Sequence, residues 1–235
     1  MKKTPPLLIL LDVLASFALV IAFWLIMTYA PVELTMGKVQ KVFYFHVAAG
    51  WTGMLGFLVA TIVAILYLKT GDLKWDAASQ SGVEIGMVFM ALCILSGSIW
   101  ARPVWNTWWT WDPRLTTALI MELVYAAYQL LRNSVDDPAR KARLAAIYAI
   151  VGFTSVPLTF ISIRVFRTIH PVLVASSDPS TGTFAMTSRM QVAFFSSLAA
   201  FTLLFAALFW HRFRLGRAQN KLRQRQNELD FGGEE

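Results

Sequence analysis

Cysteine is almost missing from this chain: Cys93 stands alone, inside an apolar run. A single thiol excludes a disulfide framework, a zinc knuckle and a CxxCH attachment site. The residue reads as a small buried hydrophobe. Charge is scarce as well. Only 15% of the 235 residues are Asp, Glu, Lys or Arg, against about a quarter in an ordinary soluble domain. No HExxH pair occurs, which argues against a zinc hydrolase. The net charge of +7 does not call for nucleic acid. In a chain this apolar, excess Lys and Arg belongs first to loops beside anionic lipid.

Apolar sequence is plentiful, at 57% of the chain. A spanning helix needs about 20 apolar residues to cross roughly 30 Å of hydrocarbon. Six segments come near that length: Leu7–Tyr29, Val42–Leu68, Ile85–Ala101, Leu115–Leu131, Leu144–Ile163 and Met190–Trp210. The third and fourth are short as uncharged runs and are expected to borrow flanking residues. MKKTPP precedes the first run, which is too long for a signal h-region and reads as an uncleaved first span. The expectation is an all-α, polytopic membrane protein, with residues 1–235 forming one integral membrane domain.

Fourteen Lys and Arg fall on the side that holds both termini, against seven in the alternate loops. The positive-inside rule then places both termini in the cytoplasm. The loops at 30–41, about 101–114 and 164–189 face outward. Residues 211–235 are a basic cytoplasmic tail, read as a helical extension near the lipid headgroups. Leu215, Leu222 and Leu229 recur every seven residues there, too few heptads for a coiled coil.

Tryptophan is concentrated. Five of the nine fall at 100, 105, 108, 109 and 111, whereas an interfacial belt would spread them over many helix ends. At helical spacing Trp105, Trp108 and Trp109 share one face, a surface on which a planar apolar ligand would stack. Asp112 followed by Pro113 reads as a helix start, with Asp at the N-cap and Pro at the first helical position.

Two of three histidines, His46 and His170, lie on the outward side and flank this segment; His211 lies at the opposite end and reads as interfacial. Neutral imidazoles suit iron, copper or zinc, and two opposite one another suit haem iron. Arg102, Arg114, Arg164 and Arg167 are outward against the charge trend. They are candidate carboxylate partners through the planar guanidinium fork; Arg114 reads equally well as an interface marker. Glu122, in mid-span, is a functional candidate by default, as a proton relay or a neutral hydrogen-bond donor.

The run GSIWARPVWNTWWTWDPRLTT resembles the tryptophan-rich "WWD" signature of haem-handling membrane proteins. With six spans, FHVAAGW before the run and RTIHP after it, the chain is similar to the CcmC family, the haem exporter protein C of bacterial cytochrome c maturation. The likeness runs from about Val39 to Trp210. It implies haem b held by two axial histidines, at His46 and His170, with Trp105, Trp108, Trp109, Trp111 and Asp112 as the signature residues. Arg102, Arg114 and Arg167 are then candidates to meet the propionates. The chain departs from the family pattern at Asn106 (usually Gly), at Ala48 (often Pro) and at Val165–Phe166 (often a Trp pair).

The implied activity is presentation of haem b at the outer face of the bacterial cytoplasmic (inner) membrane, facing the periplasm or cell exterior, and delivery to the haem chaperone CcmE. CcmA and CcmB, ATP-binding-cassette proteins, and CcmD complete the machine. The chain has no Walker A motif, which agrees with a separate ATPase. Enzyme status stays open: the likeness favours a transfer protein, at most lyase-like in loading the chaperone. Two other readings stand beside it. One is a secondary transporter or haem channel through the bundle, motivated by Glu122 and by Pro157 inside the fifth span. The other is a scaffold whose tryptophans bind a partner protein rather than a cofactor.

Overall fold

The computed structural model describes residues 3–34, 36–170 and 186–231. The part of the expected 164–189 loop at 171–185 lies outside them. Among the described residues the chain is all-helical, with no strand beyond an isolated bridge between Glu33 and Gly37. The helices are α1 (Pro6–Trp24), α2 (Val42–Thr70), α3 (Leu73–Trp105), α4 (Pro113–Asn133), α5 (Pro138–Gly152), α6 (Ser155–Val165) and α7 (Ser188–Phe231). A π-helical turn, Leu25–Tyr29, ends α1, and a 3₁₀ turn, Lys38–Lys41, leads into α2.

Among the described residues five segments are long and apolar enough to cross a membrane: Pro6–Tyr29, Lys38–Thr70, Leu73–Trp105, Pro138–Ser162 and Ser188–Gln226. The residues of the expected fourth span form the helix α4, 21 residues long and so about 31 Å at 1.5 Å rise per residue, but α4 is not among those five. Its composition sets it apart from the other five, because Arg114, Glu122, Gln129 and Arg132 interrupt the apolar face. The fifth expected span is two helices. Pro157 has no N–H to donate to the carbonyl four residues back, at Phe153, and the break falls at Phe153–Thr154.

Two expectations of length are corrected. The third helix begins twelve residues before Ile85, and its first three turns are anchored by ion pairs that a hydropathy reading cannot see. Arg132 grips Asp76 with both nitrogens, and Arg212 grips Glu84. The basic tail is the second. It runs on from α7 as one helix to Phe231 and packs along the start of α3, where Gly216 lies against Ala77. The expected helical extension therefore forms, and Arg212 ties its start to α3. His211 is likewise paired, with Nε2 3.0 Å from both Asp12 oxygens, tying α7 to α1.

Small residues set how closely the helices pack. At the α2–α3 crossing a methyl group on Gly56 would stand 2.7 Å from the Gly82 carbonyl oxygen and 2.8 Å from Gly86 Cα. Glycine is what lets the two backbones touch. On α5, Ala142, Ala145, Ala146 and Ala149 are buried, and with Met121, Tyr125 and Tyr128 they form the core around a Phe57–Tyr125 stack, centroids 3.6 Å apart. Because the neighbours of Gly56 are backbone atoms, they cannot rotate away. Gly56→Val is expected to cost at least the about 1–3 kcal/mol typical of overpacking. Thermal unfolding in detergent measures this, and an unchanged melting temperature would contradict the crossing.

Candidate functional site

The site is built at the end of the bundle where α2 begins, α3 ends and α4 begins. His46 lies in the second turn of α2. Its Nδ1 is 2.9 Å from the Cys93 carbonyl oxygen of α3, with Ser96 Oγ at 3.4 Å. A carbonyl only accepts, so Nδ1 carries the proton and Nε2 keeps its lone pair for a ligand. Cys93 is half-buried, and its sulfur lies 3.6 Å from the same Nδ1. The expected inert core thiol is therefore a neighbour of the site.

His170 comes from 124 residues further along the chain, and an aspartate brings it in. Asp112 is the N-cap of α4, accepting from Arg114 N–H at 2.9 Å as DPR predicts. The carboxylate also accepts from Thr168 Oγ1 at 2.8 Å and from the Ile169 N–H at 2.9 Å. Thr168 in turn takes the His170 N–H on its hydroxyl, at 3.0 Å. One carboxylate thus starts α4 and moors the strand of chain that carries His170. Burial raises its pKa, but the bonds from Thr168, Ile169 and Arg114 outweigh burial and hold it below the usual carboxylate range. A depressed carboxyl contributes its stabilisation through neutral pH and loses it only as pH falls through the lowered value.

The two imidazoles meet with ring centroids 6.3 Å apart, tilted by 37°. With metal–imidazole bonds of about 2.0–2.1 Å, taking zinc as the guide, two rings on opposite sides of one ion have centroids about 6 Å apart. Trp100 and Trp105 stand beside His170, at 6.4 and 6.5 Å. Trp100 is 4% exposed, and its Nε1–H is buried with no acceptor among the described residues. No cluster of three or more His, Cys, Asp or Glu occurs among those residues.

The tryptophan segment does not take the predicted form. α3 ends at Trp105, and Asn106 closes it at φ 55°. That left-handed conformation suits glycine best and asparagine next, which accounts for the tolerated departure at 106. Residues 106–112 are irregular, so Trp105, Trp108 and Trp109 share no helical face. Trp105 sits against Trp100 (5.3 Å) and Trp109 against Trp111 (5.9 Å), both edge to face. Trp108 and Trp111 are exposed, at 59% and 75%.

The arginines divide. Arg102 is spent on the α3 C-terminus, donating to the Asn106 carbonyl at 2.7 Å and to its side chain at 2.8 Å. Arg114 is half-buried over the Phe160 ring. Arg164, in the last turn of α6, and Arg167, in the irregular segment leading to His170, are exposed. Glu122 lies away from this cluster in α4, with Oε2 buried and unpartnered among the described residues.

Sequence reading missed Ser96, Gly97 and Thr168. Only Thr168 leaves a sequence signal: a hydroxyl two residues before His170, placed to accept its N–H.

Fold and site together define a multi-pass helical membrane protein that sets two histidines side by side against a tryptophan-rich loop. The sequence profile described as Heme exporter protein C matches residues 1–228, and the chain belongs to that family. Similar proteins include the Heme exporter protein C of Bradyrhizobium diazoefficiens, 34% identical over 76% of this chain and 67% of the relative. That of Escherichia coli K12 is 30% identical over 79% and 74%. A ccmC-like mitochondrial protein of Marchantia polymorpha, named for cytochrome c biosynthesis, is 28% identical over 83% and 80%.

Proposed function

We propose that this chain binds haem b as cargo between His46 and His170, at the outer face of a bacterial cytoplasmic membrane, and passes it to a CcmE-type chaperone. CcmA, CcmB and CcmD are its proposed partners. In this reading residues 1–235 form one membrane domain of six spans, α4 included, with both termini and the basic tail cytoplasmic and residues 101–114 outward. The observation that carries it is the pairing of two imidazoles 6.3 Å apart in a chain of the Heme exporter protein C family.

The residues fit the cargo. His46 offers an Nε2 lone pair because the Cys93 carbonyl occupies its Nδ1–H. Trp108 and Trp111 present exposed apolar faces for the macrocycle edge. Arg167 is exposed for a propionate, and the buried Trp100 N–H has no acceptor among the described residues. Arg102, held by Asn106, and Arg114, over Phe160, are the weaker clamps. Cargo gripped at the mouth of the bundle, with aromatic edges exposed beside it, can be taken by a second protein without crossing the core.

Titration of the purified protein with haem tests the reading. A stoichiometric six-coordinate spectrum is expected, collapsing in the His46→Ala/His170→Ala double variant. A spectrum indifferent to that double change would overturn it.

A further inference from the structure

Gly97, half-buried on α3, is the glycine that faces a histidine. A methyl group on Gly53, Gly56 or Gly82 would meet backbone of the facing helix first, and one on Gly86 the Phe57 ring. On Gly97 the three nearest atoms all belong to the His46 ring: Cε1 at 2.9 Å, Nδ1 at 3.3 Å and Nε2 at 3.8 Å. Two of these are inside the about 3.5–4.0 Å of ordinary carbon contact. The reason is helical. The carbonyl of residue 93 points toward residue 97 one turn on, and a Cβ at 97 tilts back toward that turn. Any side chain there would stand where His46 now approaches the Cys93 oxygen, 2.9 Å away.

Gly50, one turn beyond His46, works on the same contact from the other helix. A methyl group there would lie 2.9 Å from Cys93 Sγ, so its absence lets α3 come close enough for the carbonyl to be reached. The Ser96 hydroxyl, which donates to the Leu92 carbonyl at 2.7 Å, lies 3.1 Å from the same Cys93 oxygen.

We propose that Gly97 is a positioning residue for the His46 ligand: its missing side chain admits the imidazole to the Cys93 carbonyl, which fixes the ring with Nδ1 protonated and Nε2 free. This rests on the haem reading only for its consequence. The tautomer is a property of the chain alone.

The test uses the full chain, purified without haem and labelled with ¹⁵N-histidine, the His46 signals being assigned by their loss in His46→Ala. Wild type is expected to show the Nδ1-protonated tautomer, and Gly97→Ala to lose it. Cys93→Ala, which keeps the carbonyl, is expected to retain it. Haem titration of the same samples should show Gly97→Ala weakened about 10–100-fold, the usual effect of disturbing a ligand's supporting contact. An Nε2-protonated His46 in wild type overturns the proposal without recourse to any variant. So does wild-type tautomer and affinity in folded Gly97→Ala, or loss of the tautomer in Cys93→Ala. If instead His46→Ala binds haem like wild type while the tautomer results stand, the haem reading fails and the seat for His46 survives.

Discussion

On the proposed haem reading, replacing Asp112 with alanine is expected to reproduce most of the haem-binding loss expected of His170→Ala, although Asp112 stands outside the proposed axial pair. His170 reaches the site on an irregular strand, without helical bonds to hold it. What holds the strand is one carboxylate, accepting at 2.8 Å from Thr168 and at 2.9 Å from the Ile169 N–H, with the His170 N–H tied to Thr168. Alanine removes both acceptors at once and also the cap of α4. Loss of an N-cap costs about 0.5–2 kcal/mol, and bonds to a charged acceptor are worth about 1.5–3 kcal/mol. Most of this falls on placing His170, since α4 is packed along its length. Outer-shell partners of a metal-bound histidine typically carry about 10–100-fold in affinity, and with two bonds lost the upper end is expected. Asp112→Asn separates the roles: it keeps one acceptor and the cap but loses the charge, so an intermediate affinity is expected. Haem titration of the three variants decides it. Wild-type affinity in Asp112→Ala would show that the strand is held by something else.

That dual role shows where sequence reading stops. DPR gives the helix start unambiguously, because Asp at the N-cap and Pro after it act on their own neighbours. The mooring of Thr168 and Ile169 by the same carboxylate spans 56 residues and leaves no local pattern. The same division holds for the fold. Six apolar runs each fall on helix, the fifth on two, whereas the first three turns of α3 are polar and exist because Asp76 and Glu84 find arginines on α4 and α7. Trp105, Trp108 and Trp109 were placed on one face by their spacing. A left-handed Asn106 ends the helix before the face can form. Gly97 reads as one more small residue in a span until the His46 ring is seen against it.

The far end of α4 carries the other large effect. Asp76→Ala is expected to destabilise the protein by about 3–5 kcal/mol, the usual result of breaking a buried ion pair from one side. Arg132 is 7% exposed, and its two terminal nitrogens reach Asp76 at 2.6 and 3.0 Å. Gln80 Oε1, at 3.0 Å, and the Tyr128 ring remain after the change, but neither carries a negative charge. The change leaves an uncompensated, largely buried guanidinium in the wall of a polar cleft shared with Asn133 and Lys141. Against a typical total of about 5–15 kcal/mol, this is a large share. The double variant Asp76→Leu/Arg132→Met, apolar and similar in volume, should recover most of the loss. Thermal unfolding in detergent, run as a double-mutant cycle, measures both. The two ends of α4 then predict opposite signatures. Asp112→Ala should weaken haem binding with a modest change in melting temperature, because its bonds hold one strand of chain. Asp76→Ala should lower the melting temperature sharply while the protein that remains folded binds haem as wild type does, because the Arg132 pair joins α3 to α4 at the end of the helix away from the histidines. Equal effects of the two changes on both readouts would mean that α4 transmits its anchoring from one end to the other.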